Sequence, residues 1–167
     1  MAVLPIKVLG DAVLRQKAKR VSQVDGSIRR LVEDMIDTMR DAGGVGLAAP
    51  QVGVPLRVVV IGIPEGEVIT LINPEIVKRS GERRLTEGCL SIPGYWAEVT
   101  RALSVTAKGR DLQGRQVRIK AEDDLLAQAV EHEMDHIDGV LYIDHLESLD
   151  DLRKTATAPE EEVSAEL

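Results

Sequence analysis

Apolar residues fall at helical spacing in two stretches of the chain, with short β-like runs between them. Ile28, Leu31, Val32, Met35, Ile36 and Met39 recur every three or four positions, which predicts an amphipathic helix from Ser27 to about Asp41. Gly43 and Gly44 end it, because glycine takes the left-handed backbone of a helix C-terminus without a Cβ penalty. Leu56 to Ile63 and Val68 to Ile72 are rich in Val and Ile and bounded by Pro and Gly, so each reads as a strand. Glu75 to Thr86 and Glu98 to Ile119 read as further strands, with turns at Ser80-Gly81 and around Asp111 to Gly114. In a second helix, Glu122, Asp123 and Asp124 give an acidic first turn, Leu125, Leu126, Ala129 and Val130 an apolar stripe, and Gly139 a terminal cap. Strands clustered between two helices imply an α+β fold: antiparallel or mixed sheets wrapped around the second helix, which closes the domain.

The length of 167 residues suits one domain, placed here at residues 1–150. Residues 151–167 read as an acidic, flexible tail, since Thr155 to Leu167 carries Pro159, Glu160, Glu161 and Glu162 with few large apolar groups. Apolar residues make up 44% of the chain but aromatics only 2%, with no Phe, so Val, Ile, Leu and Ala must fill the core. No run of 18 apolar residues and no charged-then-apolar leader is present, and a single cysteine excludes an internal disulfide. The expectation is a cytoplasmic chain with no membrane partner. A net charge of −7 without a basic stripe argues against direct nucleic-acid binding. The clusters Lys17-Ala18-Lys19-Arg20 and Arg29-Arg30 read as solvated faces.

Within the second helix lies His132-Glu133-Met134-Asp135-His136. Residues four apart on a helix are stacked neighbours, so His132 and His136 can offer nitrogens to one ion while Glu133 leans toward a water on it. Two His flanked by acids can equally be a solvated face. A catalytic metal site of this kind needs a third protein ligand and one open position. The longer protease pattern HExxHxxGxxH fits through Gly139 but ends on Tyr142 instead of His. A zinc peptidase would therefore have to take Asp144, His145 or Glu147. Cys89, in Glu87-Gly88-Cys89-Leu90-Ser91, is the other candidate. A lone buried cysteine is most often an inert small hydrophobe, but beside a divalent ion a thiol is deprotonated and becomes a strong ligand. A third feature is Gly43-Gly44-Val45-Gly46 leading into Leu47-Ala48-Ala49-Pro50-Gln51. Helix capping accounts for Gly43 and Gly44 and leaves Gly46, whose missing Cβ allows close approach of a ligand. Gln51 adds an amide N–H that could donate to a developing oxyanion, although a loop glutamine usually faces water.

Gly44 to Gln51, Glu87 to Ser91 and His132 to His136 together resemble, in order and interval, the three signature motifs of the peptide deformylases. The resemblance runs from about Lys7 to Leu149. It implies hydrolytic removal of the formyl group from the formyl-methionine end of new polypeptides, releasing formate. It further implies Cys89, His132 and His136 as metal ligands and Glu133 as general acid and base. Gln51 and the backbone N–H of Leu90 match the oxyanion donors, and the Gly46 backbone a group that bonds the substrate chain. Glu87 and Arg101 resemble a pair bracing the cysteine loop. The family commonly uses ferrous iron and tolerates nickel, cobalt or zinc. The methionine side chain needs an apolar slot, for which Val45, Leu125 and Ala129 are candidates, though Leu125 and Ala129 equally suit core packing. Some relatives dock on the ribosome through a basic C-terminal helix; the acidic ending here departs from that, so any transient ribosome contact would use another surface. Two rivals stand beside this reading: an HExxH metallopeptidase, and a non-catalytic metal- or peptide-binding relative. Neither gives a reason for Cys89, Gln51 and Glu133 all to stand in their motifs.

Overall fold

A computed structural model describes residues 2–155. Helix α1 spans Gly26–Asp41, one residue longer than its periodicity predicts. Asp25 caps it by accepting hydrogen bonds from the backbone N–H groups of Ser27 (3.0 Å) and Ile28 (3.2 Å), which satisfies donors a helix start leaves without partners. Helix α2 spans Leu125–Ile137 and carries the HExxH residues. Its expected acidic first turn does not form. Glu122 ends a strand, Asp123 takes a positive φ of 52°, and Asp124 alone serves the helix as N-cap, accepting from Ala127 N at 2.8 Å.

Two antiparallel sheets flank α2. The larger runs in the order β1 (Gly46–Ala48), β2 (Val58–Ile61), β3 (Ile69–Ser80), β6 (Ser104–Arg110) and β7 (Gln116–Glu122). The smaller joins β4 (Arg83–Cys89), β5 (Ile92–Arg101) and β8 (Arg153–Lys154). All named strand pairs are antiparallel, which removes the mixed alternative. The two strands expected on either side of Asn73-Pro74 are one strand, β3. Asn73 takes φ 52° there, the register with β6 shifts between Ile72 and Glu75, and the Asn73 side chain fastens the irregularity to both backbone groups of Val21, each at 2.8 Å. A proline is tolerated in a sheet at such a bulge. Strand β5 begins at Ile92, six residues before its expected start at Glu98. The turn at Ser80-Gly81 does not close a hairpin, because β3 pairs with β6 while β4 pairs with β5.

Strand β2 shows why the larger sheet sits where it does. Its four residues are all buried: Val58 and Val60 join the apolar cluster of α1, while Val59 and Ile61 join that of α2. Alternate residues of a strand face opposite sides, so an unbroken run of Val and Ile marks a strand covered on both faces. The sheet thus lies between the helices. Each fully buried side chain of this size contributes about 1.5–3 kcal/mol.

The chain does not finish at α2, as its pattern suggested. Leu141 and Tyr142 are buried against β4 and β5, with 3-10 turns over Tyr142–His145 and Leu149–Asp151 and the short strand β8 beyond. Of the expected tail, residues 151–155 are described and include β8; residues 156–167 lie outside the described residues. Among the described residues no helix is long and apolar enough to cross a membrane.

Gly139 is the point on which this return path turns. Its φ is 77°, and a Cβ built there would stand 2.8 Å from the carbonyl oxygen of Arg15. Both the backbone conformation and the contact exclude a side chain. Gly139→Ala is expected to lower the urea midpoint by the equivalent of about 2 kcal/mol or more; an unchanged midpoint would show that the turn relaxes at no cost.

Candidate metal centre

Strand β4 meets α2 at one point. Cys89 ends β4, and His132 and His136 lie one turn apart on α2; all three are buried. The Cys89 Sγ is 3.2 Å from His136 Nε2, which is 3.1 Å from His132 Nε2. Among the described residues this is the group of His, Cys, Asp and Glu side chains placed to hold a metal, with ligand atoms mutually within 4.8 Å. For a tetrahedral ion with bonds of about 2.1 Å to nitrogen and 2.3 Å to sulfur, ligand atoms stand about 3.4–3.7 Å apart. The trio is thus already close to the spacing that a small divalent ion needs.

The fit is chemical as well as metric. The Nδ1 of His132 lies 2.5 Å from Glu87 Oε1. Glu87 is fully buried, and its carboxyl is lowered to about 2: burial opposes ionisation, but His132 and Arg101 outweigh it. An ionised carboxylate only accepts, so His132 donates from Nδ1 and turns the lone pair of Nε2 toward Cys89 and His136. Electron pairs converging in a dry space require a cation or a proton between them. The charge balance of the two rings reflects this. Burial disfavours the charged form of both rings, yet Glu87 and Cys89 hold His132 well above its usual value, while the charge on His132 adds to burial in pushing His136 well below. One positive charge belongs in this cluster, and a metal ion can take its place.

Glu133 is arranged differently. It is buried, neither carboxylate oxygen has a hydrogen-bond partner among the described residues, and burial raises its carboxyl to about 7. Its Oε1 stands 3.8 Å from His132 Nε2, beside the cluster but outside it. Gly46 of β1 makes room for it: a Cβ there would lie 3.1 Å from Glu133 Cγ and Cδ and 3.2 Å from Oε1. The space opened by this glycine is filled by the carboxylate.

Gln51 does not face water, as a loop glutamine usually would; it is fully buried. Its Oε1 accepts from Ala48 N at 2.9 Å, which aims Nε2 at Ser91 Oγ (3.1 Å) and Cys89 Sγ (3.7 Å). Ser91 N also points at the sulfur, at 3.4 Å. Leu90, between them, is buried and packs with the α1 cluster. Val45 and Ala129 are buried in the α2 cluster and Leu125 packs against it half-buried, so the three share one apolar region while Ala129 behaves as core. The ligands a zinc peptidase would need are elsewhere. Asp144 pairs with Arg15 at 2.6 Å, His145 bonds Asp135 at 2.8 Å, and Glu147 is exposed and absent from the ligand group.

Sequence reasoning did not find the partners of Asp135. Arg101, itself buried, binds Glu87 through Nε (3.1 Å) and Nη2, and Asp135 through Nη1 at 2.7 Å. Gln128, one helical turn before His132, donates to Glu87 Oε2 at 3.2 Å. The signal available was the helical spacing of Gln128 and His132 on one face, four residues apart.

Comparison with known proteins gives a consistent result. The family model described as polypeptide deformylase matches residues 3–152. The chain is 55% identical over 168 residues to a peptide deformylase of Dehalococcoides mccartyi, covering 100% of this chain and 99% of that one. It is 47% identical over 173 residues to one from Thermomicrobium roseum, covering 99% and 98%. Among solved structures, a peptide deformylase from Legionella pneumophila superposes with a TM-score of 0.87 at 47% identity, covering 90% of this chain and 89% of that one. One from Synechococcus elongatus in complex with actinonin gives 0.85 at 44%, covering 89% and 81%.

Because the Glu87 carboxyl is depressed in the folded state, the stability it contributes is present above its ordinary value of 4.5 and is lost as pH falls through about 2. Glu87→Gln should therefore be less stable than the parent at neutral pH, with the gap narrowing as pH falls from about 5 toward 2. Metal-free melting temperatures across that range test this, and a gap that widened on acidification would contradict the assignment.

Proposed function

The chain belongs to the polypeptide deformylase family, and from that premise we propose how its residues divide the work of removing the N-formyl group from new polypeptides. The observation that carries the division of roles is the geometry of α2: two imidazoles and a sulfur converge on one point, with an unpartnered carboxylate at its rim. Cys89, His132 and His136 would hold one divalent ion, which supplies a Lewis acid for the formyl carbonyl and lowers the pKa of a coordinated water. Ferrous iron is the ion assigned. Nickel, cobalt and zinc suit the same mixture of soft sulfur and imidazole.

Glu133 is the general base and acid. Buried with no hydrogen bond among the described residues, and with its carboxyl raised to about 7, it can both take a proton and give it back near neutrality. It accepts the proton lost by the attacking water and passes it to the departing amine. Gln51 Nε2 and the Leu90 backbone N–H are the donors for the oxyanion that develops on the formyl oxygen; one such donor typically contributes on the order of 10²–10³ in rate. The Gly46 backbone binds the substrate chain alongside β1, and Val45 and Leu125, backed by the core residue Ala129, form the apolar wall for the methionine side chain. A single cysteine, which suits a reducing compartment, supports a cytoplasmic site of action on formyl-methionyl nascent chains.

Formyl-Met-Ala-Ser incubated with the iron- or nickel-loaded protein should release formate with the peptide bonds intact; chain cleavage would favour a peptidase, and neither product a binding module. Cys89→Ala should lose the metal. Glu133→Ala should retain it and lose turnover by about 10²-fold or more, and undiminished formate release would overturn its role as base. In Gly46→Ala the new methyl displaces the Glu133 carboxylate, so kcat should fall at least tenfold while metal content is unchanged; an unaltered kcat would show that Glu133 needs no such room.

A further inference from the structure

The charged groups around Glu87 do not stop at Arg101. Asp135 Oδ2, which takes Arg101 Nη1 at 2.7 Å, also receives His145 Nε2 at 2.8 Å. His145, Asp135, Arg101, Glu87 and His132 therefore form an unbroken line of donors and acceptors from the surface to a ring at the metal centre. Exposure falls along it: the His145 side chain is 37% exposed, Asp135 21%, Arg101 3% and Glu87 0%. His145 lies where two surface grooves, of about 590 and 540 Å³, approach each other.

An exposed His–Asp pair standing alone would contribute little. Here the pair ends a lever. A guanidinium is planar, so fixing its Nη1 edge on Asp135 fixes the direction in which its Nε–Nη2 edge meets Glu87. Glu87 in turn sets the tilt of His132 through Nδ1. The turn that carries His145 is itself anchored, by Asp144 bonding Leu141 N at 3.0 Å and Arg15 at 2.6 Å. From the same turn Tyr142 stacks on the His132 ring, with centroids 6.3 Å apart and planes 27° apart. The segment 142–145 thus touches the ligand ring directly through Tyr142 and reaches it again through the line of charges.

We propose that His145 is a positioning residue for His132, acting through Asp135, Arg101 and Glu87. The proposal rests on the reading of Cys89, His132 and His136 as metal ligands. Its effect is on ligand orientation, and hence on metal affinity.

The test uses His145→Ala and His145→Gln, in which the glutamine amide can still donate to Asp135. In the metal-free chain, the His132 ring N–H proton should give a low-field signal that broadens or disappears in His145→Ala and returns in His145→Gln. With cobalt(II) as the probe, His145→Ala should weaken the dissociation constant about tenfold, the low end for removing an outer partner of a metal ligand, and shift the sulfur-to-cobalt absorption; His145→Gln should restore both. In an Asp135→Asn background the His145→Ala loss should largely vanish. A variant that melts at a lower temperature but keeps the parent ring signal and cobalt affinity has only a structural role, and that overturns the proposal. Failure of the parent protein to bind cobalt would sink the metal-centre reading instead, while the ring signal of the metal-free chain still decides the part played by His145.

Discussion

One ionised carboxylate without solvent contact, that of Glu87, is the constraint around which the rest is arranged. Taking such a charge out of water costs several kcal/mol, and the structure offsets this by filling its acceptor positions. His132 Nδ1 and Arg101 Nη2 reach Oε1, while Arg101 Nε and Gln128 Nε2 reach Oε2. These partners come from β5 and from two successive turns of α2. The smaller sheet is thereby fastened to the helix by a buried charge whose directions of approach are fixed, which apolar packing alone would not impose. Non-directional burial would let the sheet slide; four hydrogen bonds to one group do not.

Glu87 and Glu133 illustrate how environment assigns opposite tasks to the same functional group. Both are buried and both lie beside His132. Glu87 is surrounded by donors and held to about 2, whereas Glu133 has none among the described residues and rises to about 7. A carboxylate locked as an anion makes a good brace for a ligand, and one balanced near neutrality makes a good carrier of protons. Gly46 maintains the second state by giving Glu133 room without offering it a side chain to bond.

The helices and the chemistry-bearing motifs were legible in the sequence because both are local. Residues at spacing 3.6 declare α1 and α2, and the HExxH spacing alone puts two imidazoles on one face. The hairpin turn between β6 and β7 was readable for the same reason, from Asp111 to Gly114. What escaped depends on partners far along the chain. Strand β1 is three buried residues in a glycine-rich run, made a strand only by pairing with β2. Continuity of β3 through Pro74 requires Val21, 52 residues away, to bond the Asn73 side chain. The pairing of Arg101 with Glu87 was expected from the resemblance, but its second bond, through Nη1 to Asp135 on α2, was not. Gln51 was a candidate donor from the sequence, but its burial and the hold of Ala48 and Ser91 on its amide were not readable there.

The two histidines of the motif are therefore not equivalent, although their spacing makes them look so. His132 is fixed at Nδ1 by Glu87 and on its face by Tyr142. Among the described residues His136 has no hydrogen-bond partner for its Nδ1, and it contacts the cluster through Nε2. The position of one ligand is thus dictated by the sheet and the returning chain, and that of the other by the helix and the sulfur. A perturbation of Arg101 on β5 or of the segment 142–145 can reach the centre through His132, and one at β4 can reach it both through Glu87, which holds His132, and through Cys89. That asymmetry follows from where Glu87 sits: Cβ positions along a strand alternate, so Glu87 and Cys89, two apart on β4, can both face α2, the first meeting His132 and the second His136.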